Sequence, residues 1–132
     1  MRWLHRLRRP WRPVVSARAW QPPGCRLYVL PAQGAAEVEH RVPVPPGACP
    51  VSRNPISGEA VVCYQPADVV AEVVSLHQLV QFAATPGTSR NVEGLAAWLH
   101  GQCRLALGVP VEVELTLHVR PGPQGYKVTF RG

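Results

Sequence analysis

The sequence has little with which to build a covalent or membrane-anchored framework. Its four cysteines, Cys25, Cys49, Cys63 and Cys103, are widely scattered and form no CxxC pair. That argues against a disulfide framework and makes reduced thiols in a cytoplasmic protein the expectation. No apolar run approaches the ~18 residues that a membrane span requires, so no membrane partner is expected. Nor is there a secretory leader, because Arg and Pro break the apolar stretches near Met1. Acid is missing from the first 36 residues, which carry seven arginines. From Glu37 onward seven basic residues face eight acids, a balance of −1. The overall charge of +6 therefore belongs to an N-terminal arm and not to the domain behind it.

At 132 residues the chain supports one domain with a real core. Residues 1–24 form the arm, in which Trp3, Trp11 and Trp20 lie among the arginines and Pro10, Pro13, Pro22 and Pro23 break any long helix. Arginine with interleaved aromatics can grip phosphate and stack on bases. A tail docking on its own domain or on a neighbouring subunit fits the same residues, so nucleic acid is not the expected partner except through this arm. Residues 25–132 form the folded domain.

Within that domain, Cys25–Pro31 reads as a short strand. Glu37–Val44 alternates polar and apolar residues with a period of two, which predicts a second strand. Pro45-Pro46-Gly47 predicts a loop that delivers Cys49, and Gly58 is expected to end the loop before a strand at Glu59–Tyr64. Asp68 is the predicted N-cap of a helix from Val69 to about Ala84. Its apolar face would include Val70, Val73, Val74, Leu76, Leu79, Val80 and Phe82. Thr85-Pro86-Gly87 breaks that helix. Ser89 or Asn91 would cap a second one running to about Leu107, with Leu95, Trp98, Leu99, Cys103 and Leu105 inward and Gly108 as its stop. Val109–Val119 alternates as a strand, and Tyr126–Phe130 returns after a Pro121–Gly125 turn. Two hairpins flanking a helix pair predict an α+β fold, with the helices covering one face of an antiparallel sheet. Its free edges invite pairing between copies, so a homo-oligomer is expected.

That order, with three short segments, resembles the tunnelling fold (T-fold) of purine- and pterin-handling enzymes, and within it the QueF-like nitrile reductases of queuosine biosynthesis. Members carry a Cys-Pro-x-Thr-Gly-Gln-Pro-Asp-type segment, then Glu-Ser-Lys-Ser-Leu-Lys on the first helix and a His-Glu pair at the head of the second. Here Cys49-Pro50-Val51-Ser52-Arg53-Asn54-Pro55-Ile56 matches the first segment at Cys and both prolines. Glu72-Val73-Val74-Ser75-Leu76-His77 matches the second at Glu, Ser and Leu, and Val92-Glu93 matches the third at Glu. The likeness covers about Ala48 to Phe130. Ile56 replaces the family's general-acid Asp, Val92 replaces its His, and Val74 and His77 replace two lysines linked to nicotinamide-cofactor binding. A weaker similarity to GTP cyclohydrolase I rests on the glutamate opening the second helix.

The resemblance implies a T-fold with a four-stranded antiparallel sheet, two helices inserted between its hairpins, and assembly through sheet edges. It implies a purine-like substrate, 7-cyano-7-deazaguanine, and Cys49 as the nucleophile that adds to its nitrile. An exposed thiol of lowered pKa can do so, giving a covalent thioimide. Glu93 would hold the guanidine edge, since a carboxylate offers two acceptor oxygens to paired N–H donors. Glu72, Ser75 and Leu76 would complete the substrate site. NADPH would reduce the thioimide to the aminomethyl product used in tRNA modification, although the motif lysines are absent; amidine transfer to an amine donor is the route that needs no NADPH. Two alternatives stay open: a pterin-pathway hydrolase like the cyclohydrolase, holding zinc through Cys49 and histidines, and a non-catalytic purine- or pterin-binding T-fold protein. His40, His77, His100 and His118 show no ligand-pair spacing, so no metal site is assigned. Each carboxylate also has a plain reading as a helix-start acid favoured by the dipole, and Cys63 and Cys103 read as core thiols.

Overall fold

The fold is that of a computed structural model describing residues 12–14, 26–48, 55–84, 92–119 and 125–132. Seven strands and two helices occur among these residues. They are β1 (Arg12–Val14), β2 (Leu27–Pro31), β3 (Val38–Ala48), β4 (Pro55–Tyr64), β5 (Val69–Ala71), α1 (Val73–Ala83), α2 (Val92–Leu107), β6 (Val111–Val119) and β7 (Gly125–Phe130). The class is α+β. An antiparallel sheet in the order β3-β4-β6-β7 consists of two hairpins, and the two helices lie between those hairpins in sequence. A second, smaller antiparallel sheet has the order β1-β2-β5.

Alternation decides the two faces of the large sheet. Val42 and Val44 on β3, Ala60, Val62 and Tyr64 on β4, and Val111, Val113, Leu115 and Leu117 on β6 are buried. They meet Leu76, Leu79 and Val80 of α1 and Leu95, Leu99 and Cys103 of α2 in one core. Each such aliphatic side chain contributes roughly 2 kcal/mol of burial. The opposite face carries the intervening residues in cross-strand rows: Glu39–Cys63–Glu112, Arg41–Val61–Glu114–Thr129 and Pro43–Glu59–Thr116–Lys127. Ion pairs lace it, from Arg41 to Glu39 and Glu59, Lys127 to Glu114 and Arg131 to Glu112.

Several sequence expectations are corrected. The expected short strand near residues 25–31 is present as β2 and lies in the small sheet. Residues 69–71 are a strand where a helix is expected, and the N-cap of α1 is Glu72 instead of Asp68. Val69 and Val70 are β-branched and favour a pleated backbone, and β2 supplies the hydrogen-bond partners. Val29 pairs with Ala71, Ala32 N–H donates to Asp68 O, and Glu72 N–H donates to Tyr28 O. The helix begins only after Glu72, whose extended backbone (φ −79°, ψ 133°) and side chain cap it. Val73 and Val74 are consequently exposed, and only the later part of the expected apolar face is buried.

Pro45-Pro46-Gly47 does not end its strand. The pairing of β3 with β4 shifts register between Val44 and Gly47 and then continues to Ala48. Proline lacks a ladder donor and is tolerated at an edge strand or a bulge, and β3 is both. Gly58 likewise lies inside β4, opposite Val44 and Leu117. A Cβ there would run into the carbonyl oxygen of Thr116, so the two backbones approach more closely than any side chain allows. Leu105 is exposed, because the 3.6-residue period puts Leu99, Gln102, Cys103 and Ala106 inward and Leu105 on the far side. The expected stop holds: Gly108, at φ 66°, donates its N–H to Arg104 O. No helix among the described residues is long and apolar enough to cross a membrane.

Candidate functional site

The head of α1 is where most of the singled-out side chains meet. Glu72 accepts from Val74 N–H at 3.0 Å and from Ser75 N–H at 2.5 Å, satisfying two of the donors that a helix start leaves open. Burial alone would raise its pKa. The hydrogen bonds from Ser75 and Val74 outweigh that, and the carboxyl lies below its ordinary value. Ser75 is buried, with its hydroxyl accepting the Tyr28 N–H at 3.0 Å and lying 3.1 Å from Glu72 O, to which it donates. Both polar groups of this motif are therefore engaged by the protein itself. Leu76, the third residue, is fully buried in the core.

Beside this cap stands a second polar pair. Tyr64, at the end of β4, takes the Ala71 N–H on its hydroxyl oxygen at 2.8 Å, and His40 Nε2 lies 3.0 Å from the same oxygen. The rings stack with centroids 5.7 Å apart. Burial lowers the His40 pKa. It raises that of Tyr64, against the hydrogen bond from Ala71. The parity of β4 carries the signal for Tyr64: with Ala60 and Val62 inward, Tyr64 must be inward too, and a buried phenol requires a partner.

Glu93 is exposed in the first turn of α2 and has no hydrogen-bond or ion-pair partner among the described residues. Val92 beside it is half-buried, while Val74 and His77 point outward from α1. Cys49 lies outside the described residues, as do the arm apart from the backbone of Arg12–Val14 and both expected caps of α2, Ser89 and Asn91. For Ile56 the backbone alone is described, paired with Gly47 and Val119.

A cleft of about 390 Å³ opens at the Tyr64 end of β4, where Glu37, Cys63, Tyr64, Gln65, Glu112 and Arg131 converge. Cys63 is thus corrected from core thiol to outer-face residue. It shares the parity of Glu59 and Val61, and its Sγ lies 3.6 Å from Glu39 Oε1. Burial first, and then Glu39, Glu112 and Glu37, push its pKa up, which makes it a poor nucleophile. Cys103 is buried as expected, its pKa raised to about 12 by desolvation. Nearby, His100 Nε2 lies 3.0 Å from Val111 O and 2.9 Å from Gly132 O. Among the described residues no three His, Cys, Asp or Glu side chains gather to hold a metal ion.

No protein-family model and no curated protein matches the chain.

Proposed function

We propose that the chain is a T-fold protein that binds a 7-deazaguanine or related purine in the manner of the QueF-like group, as an oligomer joined through sheet edges. One observation carries this reading. Two hairpins of one antiparallel sheet flank a helix pair, and the second helix opens on a carboxylate, Glu93, that is exposed and uncommitted among the described residues. Such a group can accept two parallel N–H bonds from a guanine edge. Glu72 has no such freedom, since its oxygens cap α1, so Glu93 is the purine anchor.

In this reading Cys49 is the covalent residue. Its thiolate adds to the nitrile carbon, the sulfur–carbon bond forms as one π bond of the nitrile breaks, and the nitrogen takes a proton to leave a thioimide. NADPH does not fit the residues present. The positions that the family fills with lysine are Val74 and His77, which offer no permanent positive charge to a cofactor phosphate, so no reductive step is assigned. The thioimide instead stands open to an amine donor, which expels the thiolate and leaves as an amidine.

The test is intact-protein mass spectrometry after incubation with 7-cyano-7-deazaguanine, alongside Cys49→Ala and Glu93→Gln. The expected result is an adduct of one ligand mass on the unmodified chain, none on Cys49→Ala, and at least a tenfold weaker half-saturation on Glu93→Gln. No adduct, together with no calorimetric binding of the same compound, overturns the purine reading. Binding without an adduct favours the non-catalytic purine-binding protein, to which the replacements at Ile56 and Val92 already point.

A further inference from the structure

We propose that His40 and Tyr64 form an acid-released latch holding the small sheet and the head of α1 against the large sheet. The Tyr64 hydroxyl has one proton to give and lone pairs with which to accept. Its described hydrogen-bond partners are two, the Ala71 N–H and His40 Nε2. An amide nitrogen only donates, so the Tyr64 proton goes to His40. That fixes the imidazole as neutral, with its hydrogen on Nδ1.

The chain of contacts crosses three strands. His40 is on β3, Tyr64 ends β4 and Ala71 ends β5, and the residue after Ala71 is Glu72, the cap of α1. Tyr64 is 4% exposed, so water does not replace a lost partner there. Protonation of His40 places a hydrogen on Nε2 facing a hydroxyl that was donating to it. The phenol must then turn its own proton toward a site with no described acceptor, or the imidazolium must leave for solvent. Either move loosens the oxygen that holds Ala71.

The titratable groups on elements packed on this face are few. They are Tyr64 on β4, Cys103 on α2, whose pKa of about 12 keeps it neutral throughout, Glu72 and His77 on α1, and Asp68 at the entry to β5. The Glu72 carboxylate is taken by Val74 and Ser75, and His77 is exposed. Glu39 and Arg41, the charged neighbours of His40 along β3, are on the opposite face with Glu59. His40 has no described carboxylate partner to hold its proton. Burial keeps it in the neutral form to lower pH than an exposed imidazole, in line with the latch being closed at neutrality.

Amide hydrogen exchange on the full chain at pH 7.5 and pH 5.0, expressed as protection factors, tests this. Ala71 and Glu72 are expected to lose several-fold more protection on acidification than Val113 and Leu115 of β6, because burial holds the folded-state His40 below its ordinary pKa. His40→Gln keeps an acceptor for the phenol but does not titrate, so it should retain protection of Ala71 at neutrality and abolish the acid response. Tyr64→Phe should lower Ala71 protection at both pH values, without an acid response, and serves if the glutamine variant does not fold. Long-range nitrogen–proton spectra should show the His40 hydrogen on Nδ1. Uniform loss across both sheets, an acid response that survives His40→Gln, or a hydrogen on Nε2 at neutral pH overturns the latch.

Discussion

Ser75 Oγ accepts the backbone N–H of Tyr28 across 47 positions of sequence and donates to the carbonyl of Glu72. One hydroxyl thus ties β2 to the first turn of α1. Ser75→Ala removes the acceptor of the Tyr28 N–H at a half-buried position, and the expected cost is about 1 kcal/mol. Urea denaturation should show a lower midpoint with an unchanged slope. Ser75→Thr, which keeps the hydroxyl, should recover part of the loss.

Glu72 gives the cap its pH dependence. Its pKa is lower in the folded state than the ordinary value of 4.5. A carboxyl depressed by folding contributes stability that is complete above its unfolded pKa and lost as pH falls through the folded one. The contribution is therefore intact above about pH 4.5 and disappears on further acidification. Glu72→Ala should cost about 1 kcal/mol at pH 7, and the difference from the unmodified chain should narrow below pH 4. A gap that is constant from pH 7 to pH 3 would count against the cap.

Gly58→Ala is expected to be among the most damaging single substitutions, costing about 3 kcal/mol or more. The added methyl meets a backbone carbonyl, Thr116 O, which cannot rotate aside as a side chain would. The strands must separate, so thermal unfolding should shift downward by several degrees, with amide protection lost first along the β4–β6 seam. Gly101, on α2, has open space around it, and alanine there should be neutral or slightly stabilising.

The thiols should separate by rate in alkylation at pH 8 followed by peptide mapping. Cys103, fully buried with a pKa of about 12, should react only as the chain unfolds. Cys63, half-buried beside Glu39, should react slowly and faster in high salt, which screens the carboxylates. The proposed nucleophile, Cys49, should be the fastest of the four. A Cys49 rate no faster than that of Cys63 would remove the basis for thioimide chemistry while leaving the proposed purine binding to its own test.

Much of the architecture was legible from periodicity. The alternation in β6 placed Val111, Val113, Leu115 and Leu117 on one face and Glu112, Glu114, Thr116 and His118 on the other, and the helical period found the core face of α2 except at Leu105. What escaped was set by partners distant in sequence. Val69 and Val70 look helical in a local window, and β2, some 40 positions earlier, draws them into a strand. Pro45 and Pro46 look like a loop until β4 is present to continue pairing beyond them. Gly58 looks like punctuation because a close approach by Thr116 cannot be seen one strand at a time. At the candidate site, Glu93 stood where a helix-start acid should. The commitment of Glu72 to its own helix was legible only as an acid three residues before Ser75. The Tyr64–His40 pair spans 24 positions and leaves no local trace.

The prolines of β3 also give the large sheet two unequal ends. Along the β7 edge every residue from Tyr126 to Phe130 retains its amide, whereas Pro43, Pro45 and Pro46 strip donors from the second half of β3. A strand arriving at β3 can zip only along residues 38–42, about half its length. Joining copies edge to edge would thus give a short, directional seam, and an oligomer held that way would come apart on dilution well before its subunits unfold.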